Sequence, residues 1–187
     1  AQGEPSTNPA SPISEIVIAR FDQHSIAGMV SRLPDSPSYK HGIVLFPGYP
    51  GIMRLREENG VPVFELKGNF LLRSSQHWLD AETLVVAVDA PSDEWHWFSQ
   101  RFRTTPRYGA DIAGLLNEIG SRHAVAEWTF VGTSEGSISA YHAARMNPAL
   151  AKRVILTATV FSPSRNGPGL TGASPDDLKM PVLLVHH

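Results

Sequence analysis

The feature that most constrains this sequence is five residues long: Gly132-Thr133-Ser134-Glu135-Gly136. It follows an apolar run at 128–131 and leads directly into 137–145, a segment rich in serine and alanine. A G-x-S-x-G pattern alone recurs by chance. Here the setting is a strand that must turn sharply into a helix. Such a bend strains the backbone at its centre, and the flanking glycines remove side chains that would collide with neighbouring chain. Small residues after the bend let the helix lie near a sheet. Asn147-Pro148 then stops it.

The rest of the chain supplies the matching elements. Residues 16–21 and 26–33 read as two strands joined by the polar turn 22–25, a hairpin. The run GIVLF (42–46) is apolar throughout, as in a strand buried on both faces; TLVVAV (83–88) reads as another buried strand and VLLV (182–185) as the last strand. A further strand is expected over 153–161. Residues 52–68 look irregular, with a tight turn at Asn59-Gly60. Helical spacing appears in 69–82. Thr105-Pro106 opens a helix with a cap and a first-turn proline; Ile112, Leu115, Leu116 and Ile119 form its apolar stripe, and Gly120 is its expected end. Ser174-Pro175-Asp176-Asp177 starts a short helix. A hairpin followed by alternating strands and helices predicts an α/β fold, with a mostly parallel sheet covered by helices on both faces. The division expected is a polar, proline-rich leader over 1–13 and one domain over 14–187.

Composition narrows the function classes. Of 187 residues, 16 are Lys or Arg and 18 are Asp or Glu, a net charge of −2 with the cations scattered, so no nucleic acid is expected as partner. No apolar run approaches a membrane span. The sequence has no cysteine, which excludes thiolate catalysis and thiolate metal sites. The small, polar start AQGEPSTNPASP resembles the beginning of an exported chain after signal-peptide removal, so a periplasmic or secreted protein is expected, with a cytoplasmic one as the alternative.

Ser134 is the candidate nucleophile. Attack on an acyl group puts negative charge on the carbonyl oxygen, which calls for two preorganised N–H donors. One is the N–H of Glu135, at the start of the helix. The other belongs to the loop after the 42–46 strand, Pro47-Gly48-Tyr49-Pro50-Gly51. Proline has no N–H, so Tyr49 is the candidate there.

From residue 16 onward the chain resembles the α/β-hydrolase superfamily, and more narrowly small bacterial, often exported, hydrolases of unassigned substrate. The resemblance is carried by LFPGYPG (45–51), GNFLLRS (68–74), VVAVDAPSD (85–93), VGTSEGS (131–137) and PVLLVHH (181–187). It implies an esterase-like reaction through an acyl-enzyme on Ser134, with Tyr49 and Glu135 as oxyanion donors, a small ester-like substrate and no cofactor. The superfamily commonly has His-Gly in its first oxyanion motif; Pro47 stands in place of that His here. Its triad runs Ser, then acid, then His, and the last two positions fall beyond His187. The expectation is therefore a domain whose last strand and helix, about 50 to 80 residues by the usual domain size, lie outside this sequence or come from a second chain or fragment. Asp89, Asp93, Asp176 and Asp177 read as turn and cap acids, and His186 and His187 as residues near the expected acid. Trp95, His96 and Trp97 are candidate substrate-wall residues. The short Gly/Pro/Ser segment 161–173 cannot form a large lid. Asp93 and His96 are too few for a metal site. Two other readings keep the same fold: a non-catalytic binding protein and an acyltransferase.

Overall fold

The computed structural model describes residues 11–186. Residues 1–10 of the expected leader and His187 lie outside the described residues. In chain order the elements are β1 (Ile13–Arg20), β2 (Ser25–Arg32), β3 (Tyr39–Phe46), β4 (Arg56–Glu58), β5 (Val61–Val63), α1 (Phe70–Ser74), β6 (Thr83–Val88), α2 (Gln100–Arg103), α3 (Pro106–Arg122), β7 (Val125–Thr133), α4 (Glu135–Met146), β8 (Ala151–Thr157) and β9 (Val182–Val185).

Seven strands form the main sheet, in the order β1-β2-β6-β3-β7-β8-β9. β1 pairs antiparallel with β2, and β2 antiparallel with β6; every later neighbour is parallel. β6 is buried at all six positions, in keeping with the five apolar residues that follow Thr83. Alternation along the central strands sends Val44, Val86, Phe130 and Leu156 into one core cluster and Leu45, Val85 and Val131 into another. α3 and α4 cover the first face. The stripe Ile112, Leu115, Leu116 and Ile119 is fully buried there, each side chain contributing about 1.5–3 kcal/mol of burial. α1 and the turn after it cover part of the second face through Leu71, Trp78 and Leu79.

Four local expectations change. Residues 52–68 hold a small hairpin, β4 with β5, turning at Asn59-Gly60, where φ is 53° and 75°. The helix expected over 69–82 is only α1 followed by a 3₁₀ turn at Ser75–Trp78. Its serines explain the early end: Ser74 Oγ donates to Phe70 O at 2.9 Å and Ser75 Oγ to Leu72 O at 2.9 Å, and such back-bonding competes with the helix ladder. α3 runs past Gly120 to Arg122, supported by the Arg122–Glu118 pair at 3.1 Å. β8 ends at Thr157, because Ala158 turns to a φ of 44° and leads the chain out of the sheet.

β9 is an edge of this sheet, with Leu183 and Val185 exposed. On the face that carries α1, an apolar groove of about 500 Å³ runs between Phe70, Leu71 and Trp78 on one side and Ile43, Val131 and Ile155 of the sheet on the other.

Candidate functional site

Parallel pairing brings the loops together. Phe46, the last residue of β3, is level with Gly132 near the end of β7, and Thr133 is level with Thr157 at the end of β8. The loops after β3, β7 and β8 therefore leave the sheet side by side, at the carboxyl ends of its strands, where open α/β sheets hold their ligands.

Ser134 sits at the bend between β7 and α4 with φ 52° and ψ −125°, a conformation costly for a residue with a side chain. Three hydrogen bonds hold it there. Its N–H donates to Thr157 O at 3.0 Å, and its carbonyl accepts from Ser137 N at 2.9 Å and Ser137 Oγ at 2.6 Å. Ser134 is half-buried, and its hydroxyl caps no N–H of α4. The flanking glycines are there for space: a Cβ on Gly132 would overlap the Gly136 carbonyl oxygen, and one on Gly136 would overlap that of Phe46. Gly48 packs on the serine itself, since a Cβ there would lie 3.2 Å from Ser134 Cβ.

The two expected donors flank this contact. Glu135 is the first residue of α4 and Tyr49 follows Gly48. Neither N–H has an acceptor among the described residues. An unsatisfied N–H at a helix start, with the positive end of the helix dipole behind it, is suited to receive negative charge. The Tyr49 side chain is largely exposed, whereas that of Glu135 is buried.

Between Tyr49 and Glu135 lies a recess of about 80 Å³. Pro50, Ile52 and Phe98 supply apolar wall, and Gln100 and Asn166 supply polar wall. Of the three aromatic-loop candidates, His96 and Trp97 line this recess. Trp95 does not: its indole N–H donates to Ala90 O at 3.1 Å and its ring packs on the core. Segment 161–173 holds no helix and contributes Asn166 to the wall of the recess. Leu170 is buried, and Gly169 N–H donates to Gln100 Oε1 at 2.7 Å.

Several carboxylates and imidazoles have partners away from Ser134. Asp89, read as a turn acid, is buried. It accepts from Met53 N at 2.6 Å, Leu55 N at 2.9 Å and Ala90 N at 2.8 Å, which anchors the chain after β3. Burial raises its pKa above the usual carboxylate value, against the pull of those N–H groups. Asp93 is held by Arg107 through bonds of 2.6 and 2.8 Å, which lower its pKa. Asp177 closes a capping box with Ser174 and also accepts from Tyr141 Oη at 3.3 Å; Asp176 lies in the same turn. His24 pairs with Asp111 and His123 with Glu15. His186, just after β9, lies near the Phe161 ring. Among the described residues, no group of three His, Asp or Glu could hold a metal, and no helix is long and apolar enough to cross a membrane.

α2 carries no motif that marks it in the sequence. Its cap, Ser99 Oγ accepting from Phe102 N at 3.0 Å, aims Gln100 and Arg103 inward. Gln100 Nε2 donates to Glu135 Oε1 at 3.1 Å, and Arg103 lies 3.5 Å from Glu135 Oε2. Arg103 is completely buried, with its guanidinium 3.9 Å from the Phe98 ring centroid. Burial pulls its pKa down to about 10, so it stays charged at neutral pH. The one local trace is a pair of polar residues three apart, Gln100 and Arg103, on a single turn that also carries Phe102.

No family model and no curated protein sequence matches the chain. Solved structures do match. A cold-adapted esterase from an Arctic intertidal metagenomic library superposes with a TM-score of 0.64 at 13% identity, over 94% of this chain and 72% of that one. Est1E from Butyrivibrio proteoclasticus gives 0.60 at 13%, over 91% and 76%. Porphyromonas gingivalis dipeptidyl peptidase 4 gives 0.58 at 15%, over 92% of this chain and 27% of that one. At such identities the likeness is one of fold. With the mostly parallel sheet and the helices on it, it establishes the α/β-hydrolase fold for this chain.

Proposed function

We propose that the protein is a serine hydrolase of esterase type, with Ser134 as nucleophile. One observation carries the reading: a half-buried serine at positive φ, packed against Gly48 and flanked by the free N–H groups of Glu135 and Tyr49. The backbone strain at residue 134 is the kind that persists where the surroundings enforce it, and it clusters at reactive sites. Esterases among the structural neighbours support the same class.

In this reading Ser134 Oγ bonds to the carbonyl carbon of an ester while its proton passes to a general base. The carbonyl π pair moves onto oxygen, where the Glu135 and Tyr49 N–H groups receive the charge. As the carbonyl re-forms, the ester C–O bond breaks and the leaving alkoxide takes the proton. Water repeats the sequence on the acyl-enzyme and frees the acid and the serine. The base and its orienting acid are proposed to lie outside residues 11–186. The recess of about 80 Å³ beside the donors has room for roughly two or three groups the size of water, so a compact acyl chain is proposed.

A fluorophosphonate applied to the full natural chain is expected to label it at Ser134, with labelling lost in Ser134→Ala. A folded chain that takes up no label overturns the enzymatic reading and leaves a non-catalytic binding protein. Product analysis in the presence of alcohol acceptors separates hydrolysis from acyl transfer.

A further inference from the structure

Three segments meet at the candidate site, and one side chain touches all of them. Arg103 Nη2 donates to Pro50 O at 3.2 Å and to Phe98 O at 3.3 Å. Its Nη1 donates to Ser139 Oγ at 3.0 Å and reaches Glu135 O at 3.5 Å. The carboxylate of Glu135 completes the shell, and Gln100, from the same turn of α2, holds that carboxylate's other oxygen. Pro50 adjoins Tyr49, and Glu135 adjoins Ser134. The guanidinium is therefore bonded within one residue of each proposed oxyanion donor.

We propose that Arg103 is a positioning residue, whose buried pairing with Glu135 fixes the loop after β3 relative to the serine turn and so sets the spacing of the two oxyanion donors. The inference rests on the serine-hydrolase reading. Stability alone is a poor account of the pair, because buried ion pairs replaced by well-packed hydrophobic side chains of similar volume are often neutral or stabilising. Geometry accounts for it better. A planar fork addresses several carbonyls at fixed angles, which a lysine does not reproduce. Gly51, at φ 74°, fits the same purpose: a Cβ there would lie 3.0 Å from Arg103 Nη2, so glycine lets the guanidinium close on this loop. Displacing a reacting group by about 1 Å is enough to cost roughly a hundredfold in rate.

The test measures kcat and KM on a short ester, together with melting temperature, for Arg103→Lys, Arg103→Met, Glu135→Gln and the double variant Arg103→Met/Glu135→Gln in the full natural chain. Arg103→Met is expected to lower kcat about a hundredfold with KM little changed. Arg103→Lys should recover part of that loss. The double variant removes both charges, so it is expected to recover only the part of the melting temperature lost to the unpaired Glu135 carboxylate, the acceptors at Pro50, Phe98 and Ser139 staying unmet, while kcat stays low. Wild-type kcat in a stably folded double variant overturns the proposal. If Arg103→Met does not fold, Arg103→Lys decides the matter: unchanged kcat overturns the proposal, and a lowered kcat at unchanged KM and melting temperature supports it. A folded parent chain that takes no fluorophosphonate overturns the serine-hydrolase reading itself, and this inference with it. A labelled parent with fully active variants overturns only the inference.

Discussion

Gly136 lies so near the end of β3 that a methyl group on its α-carbon would overlap the Phe46 carbonyl oxygen and stand 2.7 Å from that of Pro47. Both obstacles are backbone, so neither can swing aside. Gly136→Ala must push the start of α4 away from the loop after β3. A loss of about 3 kcal/mol is expected, the upper end of what overpacking costs, read from urea unfolding. Fluorophosphonate labelling of Ser134 should slow in the fraction that stays folded. An unchanged unfolding midpoint would mean that the two segments are not in contact.

Asp89 anchors the other end of that loop. Asp89→Asn turns one of two accepting oxygens into an NH₂ that faces N–H donors, either those of Met53 and Ala90 or that of Leu55. Leaving buried donors unsatisfied costs about 1–3 kcal/mol, so a loss near 2 is expected at neutral pH. The pH dependence has a definite sign. Burial raises the folded carboxyl above its unfolded value, so the folded state holds its proton more tightly. That contribution is present below the ordinary carboxylate value and is lost as pH rises through the folded one. Denaturant titrations across this window should show a falling component in the parent that Asp89→Asn lacks.

The central strands β3 and β6 were legible because burial fills most of their length with apolar residues, and the serine turn because two glycines and a small-residue helix are needed to make it. Thr105 and Pro106 marked the start of α3 for the same local reason. What escaped notice depends on distant partners. Nothing near Arg103 says that its guanidinium will reach Pro50 O and Ser139 Oγ. Asp89 looked like a turn acid because its ligands, Met53 and Leu55, arrive from another loop. Gly120 misled in the opposite sense: a glycine late in a helical pattern looks like a stop, yet the helix continues where Ile119 buries and Glu118 pairs with Arg122.

The position of the α3 end is itself testable. Gly120 is exposed inside α3, its φ is not positive, and a Cβ there would meet nothing within 4 Å. Gly120→Ala therefore adds helix propensity and removes freedom from the unfolded chain, at no steric cost. A gain of about 0.5–1 kcal/mol is expected, seen as a higher urea midpoint with an unchanged slope. A loss would place the end of the helix at residue 120, as the sequence pattern suggested.

Trp97 bears on substrate size. Its exposed indole, with Ser99 and Asn166, borders both the recess beside Tyr49 and Glu135 and a more open depression lined by Arg101, Ser164, Arg165 and Pro168. On the esterase reading, the parent should favour acetyl and propionyl esters over octanoyl ones, because each extra methylene must find room in a recess of about 80 Å³. Trp97→Ala joins the recess to the depression beyond it. Since one methylene in a pocket is worth about 1–3 kcal/mol, the octanoyl-to-acetyl ratio of kcat/KM should rise at least tenfold. The change should come mainly from better use of the long ester, because Trp97 touches neither proposed donor's N–H. A parent that already prefers octanoyl esters, or a variant whose ratio does not move, would show that the acyl chain lies elsewhere, with the apolar groove beside Phe70 and Trp78 as the next surface to probe by substitution.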